Sequence, residues 1–105
     1  MNDQLDDVSV KLKANVYFDG KVVSHTLLHK DGKKQTVGLI YPGSYKFNTD
    51  APERMDIVAG DCRVKLAGET AWKDYKGGTF FKVPGKSSFE IAVERGQTEY
   101  LCTFE

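Results

Sequence analysis

Histidine, cysteine, proline and net charge are all scarce in this chain, and each shortage closes a class of function. Two histidines, His25 and His29, are the only imidazoles in 105 residues. A catalytic or metal-binding cluster built on several histidines is therefore out of reach. The two cysteines, Cys62 and Cys102, are too few for a disulfide framework. Each lies in a strand-like run and reads as a small buried hydrophobe. Lysine plus arginine equals aspartate plus glutamate at 15 each. That balance provides no field for holding nucleic acid by counterion release. No apolar run approaches the roughly 20 residues of a membrane helix. The segment Met1–Asp7 is acidic and has no secretory core. A cytoplasmic protein is expected, with no nucleic-acid or membrane partner. No Gly-x-Ser-x-Gly elbow, phosphate-binding Gly-Lys-Ser/Thr loop or Cys-x-x-Cys pair occurs.

Turn signals are plentiful. Asp19-Gly20, Asp31-Gly32, Pro42-Gly43, Gly60-Asp61, Pro84-Gly85 and Arg95-Gly96 all punctuate the chain. Glycine supplies positive φ and proline presets φ, so these pairs break regular structure for a physical reason. Between them apolar residues alternate: Val8, Val10 and Leu12; Tyr45 and Phe47; Met55 and Ile57; Val64 and Leu66; Phe89, Ile91 and Val93. Period two with β-branched and aromatic residues predicts strands that bury one face. No segment sustains a 3.6-residue apolar stripe, so no long helix is expected. Gly60-Asp61 between two such runs predicts a type II′ hairpin. The expectation is an all-β, single-domain antiparallel β-barrel over residues 8–105, preceded by a flexible tail at 1–7.

Two spacings give the barrel a pedigree. Gly78, five residues, then Pro84-Gly85 is similar to the second signature of the cupin barrels (jelly rolls). Glu53, six residues, then Gly60 is similar to the closing half of the first signature, with Gly38 as its opening glycine. In metal-binding cupins three histidines would fall at or beside Phe47, Thr49 and Phe89. None is present here, and one retained glutamate does not replace three ligands. His25 and His29 share a strand parity but stand too far apart for joint coordination. No metal and no other cofactor is expected.

Further pieces narrow the resemblance. They are Tyr17-Phe18-Asp19-Gly20-Lys21-Val22, Gly43-Ser44-Tyr45-Lys46-Phe47-Asn48-Thr49, Pro52-Glu53-Arg54-Met55, Trp72, Phe81 through Phe89, and Tyr100-Leu101-Cys102. In order and spacing, from Ala14 to Phe104, they resemble the small cupin-type pyrimidine/purine nucleoside phosphorylases. Residues 1–13 and a loop at Leu27–Lys34 depart from that pattern. The resemblance implies an enzyme that splits many nucleosides with inorganic phosphate into free base and ribose 1-phosphate. It also implies a homodimer.

Such chemistry needs a bound phosphate, a stabilised oxocarbenium-like sugar and a tolerated leaving base. If the motif parity faces inward, Tyr45, Phe47 and Thr49 line one wall, with Phe89 and Tyr100 elsewhere around the interior. These are the expected substrate-binding residues, with Trp72 a further flat face for stacking. Glu53 is the candidate catalytic residue, able to bond ribose hydroxyls or balance charge at the anomeric carbon. Its alternative is a surface glutamate paired with a nearby cation. Lys21 and Ser87, the latter with backbone N–H groups after Pro84-Gly85, are the candidate phosphate ligands. The competing functions are a non-catalytic barrel that binds a sugar or nucleoside, and a metal-dependent cupin enzyme.

Overall fold

A computed structural model describes residues 3–105 of the chain. Eleven strands account for its regular structure: β1 (Val8–Val10), β2 (Asn15–Tyr17), β3 (Val22–His29), β4 (Lys34–Ile40), β5 (Gly43–Asn48), β6 (Glu53–Ala59), β7 (Asp61–Leu66), β8 (Lys73–Lys76), β9 (Phe80–Val83), β10 (Ser88–Val93) and β11 (Thr98–Phe104). One 3-10 turn, Phe18–Gly20, interrupts them, and among the described residues there is no longer helix. The all-β expectation is met.

The strands form two antiparallel sheets. The larger runs β1-β3-β4-β11-β6-β9, with β2 also paired to β3, and the smaller runs β5-β10-β7-β8. Alternation has the predicted consequence: on β10, Phe89, Ile91 and Val93 are buried, and on β6, Met55 and Ile57. Those rows meet Val64 of β7 and Val83 of β9 in one apolar core. Each large aliphatic removed from water there contributes about 1.5–3 kcal/mol. On β3 the buried residues include Ser24 and Thr26, so one part of the interior is polar.

Three local expectations are corrected. Gly60-Asp61 does not make a hairpin. Strand β6 pairs with β11 and β9, while β7 pairs with β10 and β8, so the chain passes from one sheet to the other at Gly60. Gly60 has φ +82°, and a Cβ there would run into the Gln97 carbonyl oxygen, so the crossing requires glycine. The expected loop at 27–34 is narrower than that range, since β3 extends to His29 and β4 begins at Lys34, leaving residues 30–33 as the turn. Val10 and Leu12 do not bury a face; they are 51% and 90% exposed, Val10 on the short edge strand β1 and Leu12 beyond its end. Of the expected tail, residues 3–7 carry no strand, and residues 1–2 lie outside the described residues.

Candidate functional site

A cavity of about 410 Å³ draws its lining from both sheets. Phe47 and Asn48 on β5 and Phe89 on β10 form one side, while β4, β6 and β11 supply the other. The strand register sets the second wall in rows. Cys102 lies opposite Thr36 on β4 and opposite Met55 on β6, and Phe104 lies opposite Glu53. All five of these side chains border the cavity. Because β6, β11 and β4 are neighbours, residues two apart along each strand keep the same face. The parity of Glu53 and Met55 thus points both inward.

Glu53 is half-buried and lines this cavity. Desolvation holds its carboxyl above the usual carboxylate range, and the Cys102 thiol partly opposes that shift. The thiol donates to Glu53 Oε1 at 3.6 Å. Cys102 is itself buried, and its thiol is pushed up by that burial and by the neighbouring carboxylate, so it stays protonated and serves as a donor. Burial raises the Tyr100 phenol to about 12, leaving it neutral beside the same cavity. Among the described residues, Glu53 forms no ion pair with a lysine or arginine. The carboxylate therefore faces a ligand-sized space with one weak donor attached.

Aromatic rings complete the enclosure. Phe47 stacks on Phe89 with centroids 5.5 Å apart and planes at 24°. Tyr17 approaches Phe47 edge-on at 6.2 Å, and Phe18 does so at 5.4 Å. Phe18 and Asp19 hold positive φ, 53° and 55°, so the 3-10 turn is a strained segment that delivers a ring to this cluster.

Of the residues expected from sequence, Glu53, Phe47, Phe89 and Tyr100 border the cavity, and Tyr45, Thr49, Lys21 and Ser87 do not. Tyr45 is buried, but its hydroxyl donates to the Tyr41 and Pro42 carbonyls at 2.7 and 2.9 Å. Thr49 Oγ1 donates to the Pro84 carbonyl at 2.7 Å and accepts the Ser87 N–H at 3.0 Å. The Lys86 N–H bonds the Asp50 carbonyl at 3.0 Å. The backbone donors after Pro84-Gly85 are thus committed to the Thr49-Asp50 segment between β5 and β6. Lys21 is exposed at the end of the 3-10 turn. Trp72 is 37% exposed under the Lys65 ammonium, 5.2 Å from its ring. The sequence gives no sign of Lys34, Ser24 or Thr36, and marks Cys102 only as an inward packing residue beside Tyr100, yet all four border the cavity. A signal for Cys102 was present in its shared parity with Tyr100; none existed for Lys34, which reads as a turn lysine.

The cupin plan would place a metal among these rings. At its ligand positions stand Phe47, Thr49 and Phe89, and the two phenylalanines are stacked on one another. Among the described residues no three His, Cys, Asp or Glu side chains converge. His25 is turned to the Lys11 carbonyl and His29 to Gln35. The residues present do not fit a divalent cation. A larger depression of about 630 Å³ is bordered by Asp61, Arg63, Asp74, Lys76, Glu94 and Arg95. Its charges are balanced, and Arg63 and Glu94 neutralise each other at 2.6 Å. Its one desolvated group is the Cys62 thiol, which burial and the nearby Asp61 and Asp74 raise to about 11 and so keep protonated. No carboxylate there is buried, so the smaller cavity is the candidate site.

Comparison with known proteins shows the family. A family profile described as pyrimidine/purine nucleoside phosphorylase matches residues 12–104. A protein of that name from Dechloromonas aromatica is 59% identical over 96% of this chain and 97% of its own. Another, from Methylobacillus flagellatus, is 56% identical over 97% and 98%. A crystal structure of a protein of unknown function from Acinetobacter sp. ADP1 superposes with TM-score 0.94 at 43% identity, covering 97% of this chain and 98% of that one. Oxalate decarboxylase from Bacillus subtilis shares the fold alone, with TM-score 0.74 at 13% identity over 100% of this chain and 30% of that one. With the profile spanning residues 12–104 and relatives more than half identical along nearly their whole length, the chain belongs to the pyrimidine/purine nucleoside phosphorylase family.

Proposed function

We propose that this chain is a nucleoside phosphorylase of broad base specificity, working in the cavity around Glu53 without a metal. A phosphate oxygen forms a bond to the anomeric carbon as the bond from that carbon to the base nitrogen breaks. The base leaves with the bonding electron pair and takes up a proton, and ribose 1-phosphate remains. Positive charge gathers on the sugar between these events, and a fixed carboxylate stabilises it more than it stabilises the substrate. The observation that carries the reading is a desolvated, unpaired Glu53 carboxylate facing stacked Phe47 and Phe89 rings across one cavity. Stacking on such rings is worth about 1–3 kcal/mol and tolerates any base, which suits broad specificity. In the same reading Tyr45 and Thr49 act behind the site, buttressing the wall and the Pro84-Gly85 turn.

The lining of one cavity by both sheets supports their closure into a cupin barrel, and that barrel is taken as a single domain. Exposed Val16 and Tyr17 on β2 and Phe18 in the turn after it suit burial against a second copy, so a homodimer in the cytoplasm is the proposed state. Light scattering reads the mass directly, and a monomer would rule the dimer out.

Purified protein incubated with uridine or inosine tests the activity. Free base should appear only when inorganic phosphate is present, and turnover should survive a chelator. Release without phosphate would make the protein a hydrolase. No release with retained nucleoside binding would make it a non-catalytic binder. Loss of turnover on chelation, restored by a divalent ion, would refute the metal-free mechanism.

A further inference from the structure

We propose that Lys34 is the phosphate anchor of this cavity, held across the Phe104 ring from Glu53 by strand register. The proposal rests on the phosphorolysis reading and assigns the part of the site that reading leaves open. Among the described residues bordering the cavity, Lys34 is the only lysine or arginine. Among the described residues it has no ion-pair partner. Its Nζ stands 5.1 Å from the centroid of Phe104, where the ring face directs an ammonium without neutralising it. An ammonium held by a ring and lacking a carboxylate partner keeps its full charge for an anion.

Register gives this lysine a defined distance from the acid. Thr103 of β11 lies opposite Gln35 of β4, so the next pair outward sets Phe104 beside Lys34. On its other side Phe104 lies opposite Glu53. Lys34, Phe104 and Glu53 thus form one row across three adjacent strands. Neighbouring strands are about 4.8 Å apart, which separates the Lys34 and Glu53 backbones by about 10 Å. A phosphate placed directly against Glu53 would be repelled by it, and the repulsion weakens as the separation grows. The row keeps anion and carboxylate apart while leaving a sugar room between them. The anomeric carbon can then meet phosphate on one side and the carboxylate on the other. Thr36, two residues further along β4 on the same face, offers a hydroxyl donor next to the lysine. Lysine suits this task because a mobile point charge can follow phosphate as it becomes the ester.

The test compares Lys34→Gln, Lys34→Arg and the unaltered protein at saturating nucleoside. Lys34→Gln should raise the KM for phosphate at least ~10-fold, as expected for loss of a charged hydrogen bond, and should change the nucleoside KM far less. Lys34→Arg should recover part of the phosphate affinity. Binding of inorganic phosphate alone, followed by calorimetry, should weaken in parallel in Lys34→Gln, a readout that needs no turnover. An unchanged phosphate KM in Lys34→Gln overturns the assignment, as does finding the loss in Lys21→Gln instead. If the unaltered protein releases base without phosphate, or releases none, the phosphorolysis reading fails first and the Lys34 assignment with it. A phosphate-dependent protein with an indifferent Lys34 sinks the assignment alone. Lys34 is exposed, so its removal leaves the core intact, and a matched thermal melt verifies this.

Discussion

Replacing Phe89 with alanine separates the part of the aromatic stack that holds the fold from the part that would meet a base. Phe89 is 3% exposed and lies between Phe47 on β5 and Leu66 on β7 in the sheet register. Its ring also meets Phe81 of the opposite sheet at 5.6 Å and 67°. Truncation removes the buried ring and leaves a cavity, and such changes cost about 3–5 kcal/mol. Lost edge and stacking geometry with two rings would place Phe89→Ala in the upper part of that range. A domain of this length has about 5–15 kcal/mol in total. The loss is therefore between about a third and nearly all of the stability, and at the low end of that total the variant fails to fold at 37 °C. In urea, with a slope of about 1–3 kcal/mol per molar, the midpoint should fall by about 2 M with the slope unchanged. The transition can be followed by circular dichroism, with Trp72 fluorescence as a second probe. Phe47→Leu is the contrast: its ring is only partly buried, so stability should fall by about 1 kcal/mol while the nucleoside KM rises about 5–150-fold. A loss below about 1 kcal/mol for Phe89→Ala would refute the claim that this ring joins the two sheets. An unchanged nucleoside KM in Phe47→Leu would refute stacking of the base there.

Glu53 acts as a carboxylate in the proposed mechanism, and burial raises its pKa, so activity should climb with pH through a midpoint above the ordinary 4.5. Glu53→Gln should abolish that limb and cut turnover about 100-fold or more, and a limb that survives belongs to another group. Cys102→Ala removes the thiol that opposes the upward shift, so the limb should move to higher pH, with Cys102→Ser moving it back. A pH profile unmoved by either change would show that the thiol does not act on the carboxylate. Gly60→Ala combines left-handed φ with a clash against the Gln97 carbonyl and should cost about 1–3 kcal/mol in thermal denaturation. Gly32→Ala also has positive φ, 91°, but meets open space, so it should cost less. Equal losses at the two glycines would remove the clash from the explanation.

What could be read from the sequence was whatever is fixed by a strand's own period. Phe89, Ile91 and Val93 declare a buried face without reference to any partner, and so do Met55 and Ile57. What could not be read was which strand lies beside which. The Gly60-Asp61 pair carries a hairpin's local chemistry, yet the row of Met55 and Ile57 is claimed by β11 and β9, and that of Cys62 and Val64 by β10 and β8. A positive φ at Gly60 permits either outcome, and long-range pairing chooses between them. Inward parity had the same weakness for function. Tyr45 and Phe47 share one face of β5, but Tyr45 is stopped against the Tyr41 and Pro42 carbonyls while Phe47 reaches the cavity. Lys34 is the extreme case. Beside Lys33 and after Asp31-Gly32 it looks like one more solvated turn residue, and nothing within ten residues of it says otherwise. Its row-mates are Phe104 and Glu53, residues distant in the chain that come together only because β11 lies between β4 and β6. Charge placed by local period is visible in a sequence, whereas charge placed by register becomes visible only when the sheet is assembled. A site that must keep an anion at a set distance from a carboxylate depends on the second kind.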